Sequence, residues 1–495
     1  MYSRIIWLLT LGLLFFVISF FHIRQLGEIP RGLYLDESSI GYNAALISHN
    51  GIDEHGKRLP IFFEAFGEYK NPLYIYTTAL LFKLTSISIF SLRLTSFLFF
   101  SLFLLGIFFL ASDIFKNKLV IIFALLSAGF LPWFFNLSRI AFETVSQITI
   151  VIFALFFIHR TFSSKNHLIL NPLAAGFFLG LSYYTYSTAR LLTPLFLLSL
   201  FIIYFKYFKK LLIIIASFVP TSLPYIYFSI VNPGALTRRF HVVTYIYGQN
   251  ISYWEKLGKF FENYFNYISP TYLFLRGDTS PRHHTGISGE LYVVVFLLTL
   301  AFLIYKVKLK SVPNKFQLLL LLNLIFAPIA AALTTGDSSL RSILVGLYFL
   351  IFSFFGLNIL LSQVSGLKRL AVVFCVFSLL FIESARYLRH YFTEYPKITV
   401  WAFESYGFND VLDLAYDKKP EKIIVSNTLD QTGIHYRFYS QMKSQNNSII
   451  ILAGLAKPSV KTCLVFPYPD KNNLDKSPIV AKFTDENGFY TLRCY

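Results

Sequence analysis

Charged residues are scarce in this sequence. Only 14% of its 495 residues are Asp, Glu, Lys or Arg, whereas 55% are hydrophobic and 19% are aromatic. A typical soluble domain carries roughly 25% charged residues, so this composition excludes an ordinary soluble protein. It is typical of a chain that crosses a membrane many times.

Acidic residues are the scarcer of the two charge types. The chain has 26 Asp and Glu against 44 Lys and Arg, which gives a formal net charge of +18. An excess of positive charge is common in nucleic-acid-binding proteins, but here the Lys and Arg are scattered between apolar runs and form no dense basic tract with stacking aromatics. We therefore predict no nucleic-acid partner and interpret these residues as loop charges that orient membrane spans.

Several common sequence signals are missing. The chain has no glycine fingerprint for dinucleotides and no P-loop. No small-residue cleavage site follows the first apolar run, 5–21, which predicts a retained helix rather than a removed signal peptide. Of only three cysteines, Cys375 lies in an apolar run, while Cys463 and Cys494 lie in the polar tail. These two either form a disulfide in an oxidising compartment or remain free thiols.

Eleven apolar runs are long enough for spanning helices, which need about 20 residues. They are 4–22, 93–114, 119–137, 143–162, 171–189, 190–206, 210–230, 290–307, 316–334, 340–361 and 369–388. A twelfth run, 73–90, is interrupted by Lys83 and several hydroxyl side chains, and we predict that it lies on the membrane surface. Gly176 and Gly180 are four residues apart within one span and predict close helix packing.

The charges of the short loops predict the orientation. If the first run leaves the cytoplasm and 73–90 does not cross, the cytoplasmic loops are the basic ones, as the positive-inside rule requires. They surround Lys116, Arg160, Lys209, Lys308 and Lys368. The N-terminus of this multi-pass plasma-membrane protein is then cytoplasmic. The outer loops 23–92 and 231–289 lie outside, together with the tail.

The chain changes character after residue 388. In the tail, "EKIIVSN", "SIIILAGL" and "PSVKTCLVFPYPD" read as strands, and "GFNDVLDLAY" reads as an amphipathic helix. The predicted fold class is an α-helical polytopic membrane protein, residues 1–388, with a small extracytoplasmic α/β domain, residues 389–495.

Two adjacent acids in the first outer loop are the candidate catalytic residues. Asp36 and Glu37 stand in "GLYLDESSIGYNA", where the apolar spacing that follows is compatible with a helix. Asp36 could act as a general base on a hydroxyl, or both acids could hold a divalent metal ion. The alternative is that Asp36 only caps the helix.

Four cations are the candidates for binding an anionic lipid. Lys70 precedes Pro72, a residue well suited to a helix start, and a lysine there is unfavourable unless an anion is also present. Arg139, Arg190 and Arg341 each fall at the outer end of a span, and Arg suits bidentate phosphate binding. Each of the four is, in the alternative interpretation, a membrane-interface anchor.

A second polar group comes from the outer loops. We interpret its residues as a lid or acceptor site, although an ordinary ordered loop and, for the paired histidines, a metal site are alternatives. The residues are Glu68, Arg276, Asp278, Arg282, His283 and His284.

These residues, in this order, resemble the GT-C membrane glycosyltransferases, specifically the bacterial relatives of the protein O-mannosyltransferases (family 39-like) and of the lipid A aminoarabinose transferase. The resemblance rests on the "LDE" of the first outer loop and continues to the second large loop. Its segments are "YKNPLYIY", "SLRLTS", "SRIAFE", "STARLL" and "RGDTSPRHH".

The resemblance implies the GT-C fold, with about eleven spans here, and a polyprenyl-phosphate sugar as donor. The sugar would pass to a protein, lipid or glycan acceptor on the extracytoplasmic face, with inversion. Asp36 looks like the family's first-loop acid and Lys70 like its phosphate-binding lysine, although Asn71 replaces the first proline of the family's Lys-Pro-Pro. The aminoarabinose transferases have an arginine where this chain has Ser38 and Ser39.

Two other functions remain as alternatives. A lipid-linked glycan polymerase or ligase would also place arginines on the outer face. A non-enzymatic lipid or glycan transporter is expected to have charges buried near mid-span and inverted repeats, and the sequence shows neither. No cofactor is predicted beyond the divalent cation already considered.

Overall fold

A computed structural model describes nearly the whole chain. The residues outside its description are 1, 164–167, 248–250, 310–311, 400–401, 404, 418–421, 427–431, 444–448, 453–461, 468–480, 484–489 and 495. Helices dominate as far as residue 399, and a mixed sheet with helices follows.

The membrane region is built from helices and one small hairpin. In chain order these elements are α1 (Tyr2–Ile23), α2 (Leu35–Asn50), β1 (Phe63–Ala65), β2 (Glu68–Lys70), α3 (Pro72–Leu84), α4 (Ile89–Ile114), α5 (Lys118–Phe130), α6 (Pro132–Leu137), α7 (Thr144–Ser163), α8 (Leu170–Leu181), α9 (Ala189–Tyr204), α10 (Phe208–Val231), α11 (Arg238–Val243), α12 (Tyr253–Tyr267), α13 (Val293–Lys308), α14 (Lys315–Phe326), α15 (Ile329–Ala332), α16 (Ser339–Gln363) and α17 (Gly366–Thr393).

Every one of the eleven predicted runs coincides with helix, but not every run forms one long helix. Within the described residues, seven segments are long and apolar enough to cross a membrane. They are Arg4–Ile23, Ile89–Ile114, Thr144–Ser163, Ala189–Val231, Lys315–Ala332, Ser339–Gln363 and Gly366–Thr393. The predicted polytopic α-helical membrane fold is therefore confirmed.

Local chemistry explains the broken runs. The run 119–137 divides at Leu131 because Pro132 starts α6, and a proline inside a helix removes a backbone donor and clashes with the preceding turn. The run 290–307 becomes helical only at Val293, where the carboxylate of Glu383 accepts hydrogen bonds from the first two backbone N–H groups at 2.8 and 3.3 Å. Helix α3 has 13 residues, about 20 Å of helix against a hydrocarbon core of roughly 30 Å.

Gly176 and Gly180 allow α8 and α10 to approach closely, as the sequence predicts. A Cβ atom at Gly176 would lie 1.9 Å from the carbonyl oxygen of Ile214, and one at Gly180 would lie 2.7 Å from the Cβ of Thr221. A larger side chain at either position would therefore force the two helices apart.

The chain divides into two compact units. The first comprises Met1–Arg24, Ile61–Tyr74 and Ser96–His390, and the second comprises Gln25–Pro60, Ile75–Thr95 and Tyr391–Tyr495. Two parts of the first outer loop, including α2, thus belong with the tail, although the sequence assigns the whole loop to the membrane domain. The reason is that α2 packs against a helix of the tail.

The tail forms the predicted α/β structure. Its elements are α18 (Tyr395–Thr399), α19 (Phe408–Asp417), β3 (Lys422–Ser426), α20 (Thr432–Lys443), β4 (Ile449–Leu452), β5 (Thr462–Pro467), β6 (Ala481–Phe483) and β7 (Tyr490–Cys494). The strand order is β4-β3-β5-β7-β6, with β3 parallel to β4 and β5, and β7 antiparallel to β5 and β6. The predicted helix and three strands coincide with α19, β3, β4 and β5.

The antiparallel pairing of β5 and β7 places Cys463 and Cys494 directly opposite each other. Opposed residues of such a pair have Cα atoms roughly 4.5–5.5 Å apart, which falls within the span of a disulfide. The backbone register is therefore compatible with the disulfide considered from the sequence.

Candidate functional site

Asp36 and Glu37 lie in the first turn of α2. Tyr34, just before the helix, has extended backbone, and its N–H donates to Oε2 of Glu37 at 3.0 Å. Carboxylates are favourable here because the N-terminal end of a helix is positive. Asp36 is partly exposed, whereas Glu37 is fully buried. The two acids therefore have different surroundings.

Glu37 forms a buried ion pair with Arg93. Nε of Arg93 donates to Oε1 of Glu37 at 3.0 Å and Nη2 donates to Oε2 at 3.2 Å, and both side chains have 0% exposure. Arg93 also donates to the carbonyl oxygens of Pro30 at 2.8 Å and Gly32 at 2.6 Å. These contacts favour a role for Glu37 in holding the loop before α2, and a carboxylate bound in this way does not fit the predicted metal ligand.

Ser38 contacts a buried histidine of the tail. Its Oγ lies 2.6 Å from Nδ1 of His435 on α20. Burial lowers the pKa of His435 to about 3, so the ring is neutral near pH 7. Its Nε2 has no hydrogen-bond partner within the described part of the chain. No sequence pattern indicated this contact, because His435 lies 397 residues from Ser38 along the chain.

Lys70 ends the hairpin β1–β2 and is buried, with 6% exposure. Its Nζ lies 5.4 Å from the centroid of the Phe66 ring. The next residue, Asn71, is held from two directions: its backbone N–H donates to Oε1 of Glu143 at 2.6 Å, and its Oδ1 accepts from Nη2 of Arg190 at 2.9 Å. The residue after Lys70 is therefore fixed at the start of α3.

Arg190 is the second cation at this place. Its Nη1 donates to the carbonyl oxygen of Leu236, and its guanidinium carbon lies 5.6 Å from the centroid of the Phe62 ring. Among the described residues its buried Nε has no hydrogen-bond partner. Arg190 therefore contacts the residue that directly follows Lys70, while the binding of an anionic group by these two cations stays a prediction.

The hairpin also carries two acidic residues that pair with α11. Glu64 lies 3.7 Å from Nη1 of Arg238, and Glu68 lies 3.3 Å from Nε of Arg239. Glu68, which the sequence groups with the second outer loop, therefore lies beside the Lys70 cluster instead.

Arg139 and Arg341 have other surroundings. Arg139 is fully buried and donates from Nη1 to the carbonyl oxygens of Phe21 and His22, at 2.8 and 2.5 Å, and from Nη2 to that of Arg24, at 2.7 Å. It satisfies the carbonyl groups at the end of α1, which favours a structural role. Nη1 of Arg341 donates to Oγ1 of Thr334 at 2.9 Å.

Asp278 organises the second outer loop. Its Oδ2 accepts from Nδ1 of His283 at 3.1 Å and from the backbone N–H of Ser339, the first residue of α16, at 2.7 Å, and its Oδ1 accepts from the N–H of Ser280 at 2.8 Å. Burial alone would raise the pKa of Asp278, but these hydrogen bonds outweigh it and lower the pKa. The loop is therefore fixed to the start of α16.

The remaining predicted residues of this loop have separate surroundings. Nη2 of Arg276 donates to Oδ2 of Asp337 at 2.6 Å. His284 is buried, its Nδ1 accepts from the N–H of Gly286 at 3.1 Å, and burial lowers its pKa. Arg282 is partly exposed. Within the described residues, no three His, Cys, Asp or Glu side chains are arranged to hold a metal ion.

Sequence reasoning missed several residues of these clusters. Arg93 begins an apolar run. Its charge at that position is the signal from which a buried acidic partner could have been predicted. Glu290 is fully buried and its Oε1 accepts from the N–H of Asp278 at 2.9 Å. Asn71 could be recognised only as a departure from the family motif.

Comparisons with known proteins agree with this architecture. Residues 69–228, which include Lys70 and Arg190, match the family described as dolichyl-phosphate-mannose-protein mannosyltransferase. No curated protein sequence matches the chain.

Three solved structures share the fold. ArnT from Cupriavidus metallidurans bound to undecaprenyl phosphate has a TM-score of 0.62 and 11% identity, with 98% of each chain covered. ArnT from the same organism in the apo state has a TM-score of 0.60 and 11% identity, with 99% of this chain and 97% of that chain covered.

The archaeal oligosaccharyltransferase AglB from Archaeoglobus fulgidus, in complex with an inhibitory peptide and a dolichol-phosphate, has a TM-score of 0.51 and 12% identity. The alignment covers 89% of this chain and 61% of that chain. The chain therefore shares the fold of the ArnT and AglB structures and, over residues 69–228, is similar to the dolichyl-phosphate-mannose-protein mannosyltransferase family.

Proposed function

We propose that this protein transfers a sugar from a polyprenyl-phosphate donor to an acceptor at the outer face of the plasma membrane, with inversion. The acceptor is a protein, a lipid or a glycan. The orientation proposed from the loop charges, with a cytoplasmic N-terminus and an external tail, places the first outer loop and its acids on that face.

The buried cluster of Lys70, Asn71 and Arg190 carries the proposal. Arg190 donates to the Asn71 side chain, and its Nε has no hydrogen-bond partner among the described residues, while the buried Lys70 directly precedes Asn71. Cations so placed suit a phosphate group. The cluster lies in the segment that matches the mannosyltransferase family. The similar ArnT structure holds undecaprenyl phosphate, a lipid of the proposed donor class.

The chemistry requires little beyond positioning and charge. The bond between the anomeric carbon and the phosphate oxygen breaks as the acceptor atom attacks from the opposite side, so one displacement inverts the configuration. Lys70 and Arg190 stabilise the charge that develops on the departing phosphate. The partly exposed carboxylate of Asp36 accepts the acceptor's proton.

Donor binding tests the phosphate site. Lys70→Ala and Arg190→Gln should each weaken binding of a polyprenyl-phosphate sugar in nanodiscs roughly 10- to 100-fold, because a hydrogen bond to a charged group contributes about 1.5–3 kcal/mol. Lys83→Ala, at an exposed position of α3, is the matched control and should bind normally. Unchanged affinity in both cluster variants would remove these residues from the phosphate site.

Transfer assays test the base. Asp36→Asn should abolish transfer while donor binding is retained, and Glu28→Gln, at an exposed position of the same unit, should leave transfer unchanged. Near-normal transfer by Asp36→Asn would contradict the assignment.

A glycan polymerase or ligase is the second candidate, since the fold is also similar to that of an oligosaccharyltransferase. Supplying purified donors separates the two. Turnover of a monosaccharide-phosphate lipid supports the proposal, whereas turnover of only oligosaccharide-diphosphate lipids supports the polymerase or ligase.

A further inference from the structure

Polar side chains attach helix α12 to the protein. Nδ2 of Asn263 donates to the carbonyl oxygens of Ala332 and Thr334, each at 3.2 Å. The hydroxyl of Tyr264 donates to the carbonyl oxygen of Ile325 at 2.8 Å. These hydrogen bonds fix one side of the helix to the segment that ends in Thr334.

The opposite side of α12 is apolar and exposed. Trp254, Phe261 and Phe265 are 76%, 47% and 59% exposed. Their spacing of seven and four residues places them on one stripe of a helix with 3.6 residues per turn. Gly258 lies within the same stripe, and a Cβ atom there would meet nothing within 4 Å. Three large aromatic side chains thus form one uncovered face.

A third side is polar and exposed. Glu255, Lys259 and Glu262 follow one another at four and three residues, about 90° around the helix from the aromatic stripe, and all three are exposed. The circumference of α12 is therefore divided into a protein side, a polar side and an apolar side. That division is expected for a helix lying parallel to a membrane boundary.

The depth of α12 follows from its hydrogen-bond partners. Ile325 and Ala332 belong to the segment Lys315–Ala332, which is long and apolar enough to span the membrane. Ile325 is itself 46% exposed. Because Ala332 is the last residue of that segment, α12 lies beside one end of it, where Trp and other aromatic residues are typical of the membrane interface.

We propose that α12 is an interfacial helix whose stripe of Trp254, Phe261 and Phe265 inserts between the lipids of one leaflet, with Glu255, Lys259 and Glu262 in water. The partner is the lipid bilayer itself. The helix also holds the loop before α16, because Nδ2 of Asn266 donates to Oδ1 of Asp337 at 2.8 Å. Lipid contact at α12 thereby anchors the loop whose Asp337 pairs with Arg276.

Spin labels on two sides of the same turn test this orientation. Phe261→Cys and Glu262→Cys, in a background without the native cysteines, are labelled and reconstituted in liposomes. Collisions with oxygen, which concentrates in lipid, should exceed those with a water-soluble nickel chelate at position 261. The order should reverse at position 262. Water-type collisions at 261 would overturn the proposal.

Protection of position 261 from both reagents would also overturn it, in favour of a protein occupant. Measured distances between labels on two chains would then identify a second copy as that occupant.

Tryptophan fluorescence tests the same proposal in the protein with its native cysteines. Brominated lipids should quench part of the tryptophan emission of the unmodified protein, and Trp254→Phe should lose that part. Equal quenching in the two proteins would contradict insertion of Trp254.

Discussion

Asp36 and Glu37 are adjacent in the sequence, yet only one of them remains a candidate for proton transfer. The carboxylate of Glu37 is bound by Arg93 inside the protein, whereas Asp36, the preceding residue in the same helical turn, is partly exposed. The sequence predicted the pair of acids but could not separate them, because Arg93 lies 56 residues further along the chain.

The ion pair of Glu37 and Arg93 should be a major source of local stability. Glu37→Gln leaves the Arg93 charge buried and uncompensated, which should cost about 3–5 kcal/mol. Thermal denaturation in detergent measures the loss. Arg93→Met should cost a similar amount, and the double variant Glu37→Met with Arg93→Met should lose less than the sum of the two single variants. Additive losses would show that the two charges do not interact.

Asp278 should stabilise the second outer loop in a pH-dependent manner. Asp278→Asn removes the charge that three N–H donors contact and should cost roughly 2–3 kcal/mol at pH 7. The lowered pKa of the folded carboxyl means that this contribution is fully present above the unfolded pKa of about 3.9 and is lost as the pH falls through the folded value. Unfolding measured from pH 7 to pH 3 should show the difference from the wild type shrinking only below about pH 4.

Asp337→Asn is the matched control for that prediction. Its partner Arg276 is 48% exposed, and such pairs contribute about 0–1 kcal/mol. If Asp337→Asn lost as much stability as Asp278→Asn, the burial of Asp278 would not be the reason for the larger loss predicted at that residue.

At the scale of elements, the contact between α2 and α20 connects the tail to the turn that carries Asp36. A Cβ atom at Gly41 would lie 2.6 Å from Cε2 of the Phe438 ring. Gly41→Leu should therefore separate the two helices and cost about 1–3 kcal/mol, measured by thermal denaturation. On the proposed function, transfer should fall as well.

Two further variants make this prediction specific. Gly12→Leu, on α1 where a Cβ meets nothing within 4 Å, should have little effect. Phe438→Ala makes space at the contact and should partly restore the stability of Gly41→Leu. If Gly12→Leu is equally damaging, the helix contact is not the cause.

Hydrophobic periodicity predicted the long helices but not the small elements. Each of the eleven runs became helix because about 20 apolar residues specify a span without tertiary information. The hairpin β1–β2 and helix α12 were not predicted. The three-residue strands of the hairpin are too short for a period to be visible. In α12 aromatic residues lie on both the exposed side and the protein-facing side, so the pattern does not mark one buried face.

At the scale of the whole molecule, the loop charges predict the orientation of the protein in the membrane. That prediction depends on whether α3 crosses the membrane. Helix α3 joins the hairpin to α4 and has 13 residues, about two thirds of the length that a span needs. If α3 crossed the membrane, every loop after it would change sides and the basic loops would lie outside, against the positive-inside rule.

Cysteines on either side of α3 test this orientation. His55 and Ser86 are exposed positions before and after the helix. In the variants His55→Cys and Ser86→Cys, an impermeant maleimide should label both cysteines in intact cells because α3 does not cross. Lys116→Cys, after α4, should be labelled only when the membrane is permeabilised. Labelling of His55→Cys but not Ser86→Cys in intact cells would show that α3 spans the membrane, which would move the loop at Lys116 outside and reverse the face assigned to every later loop.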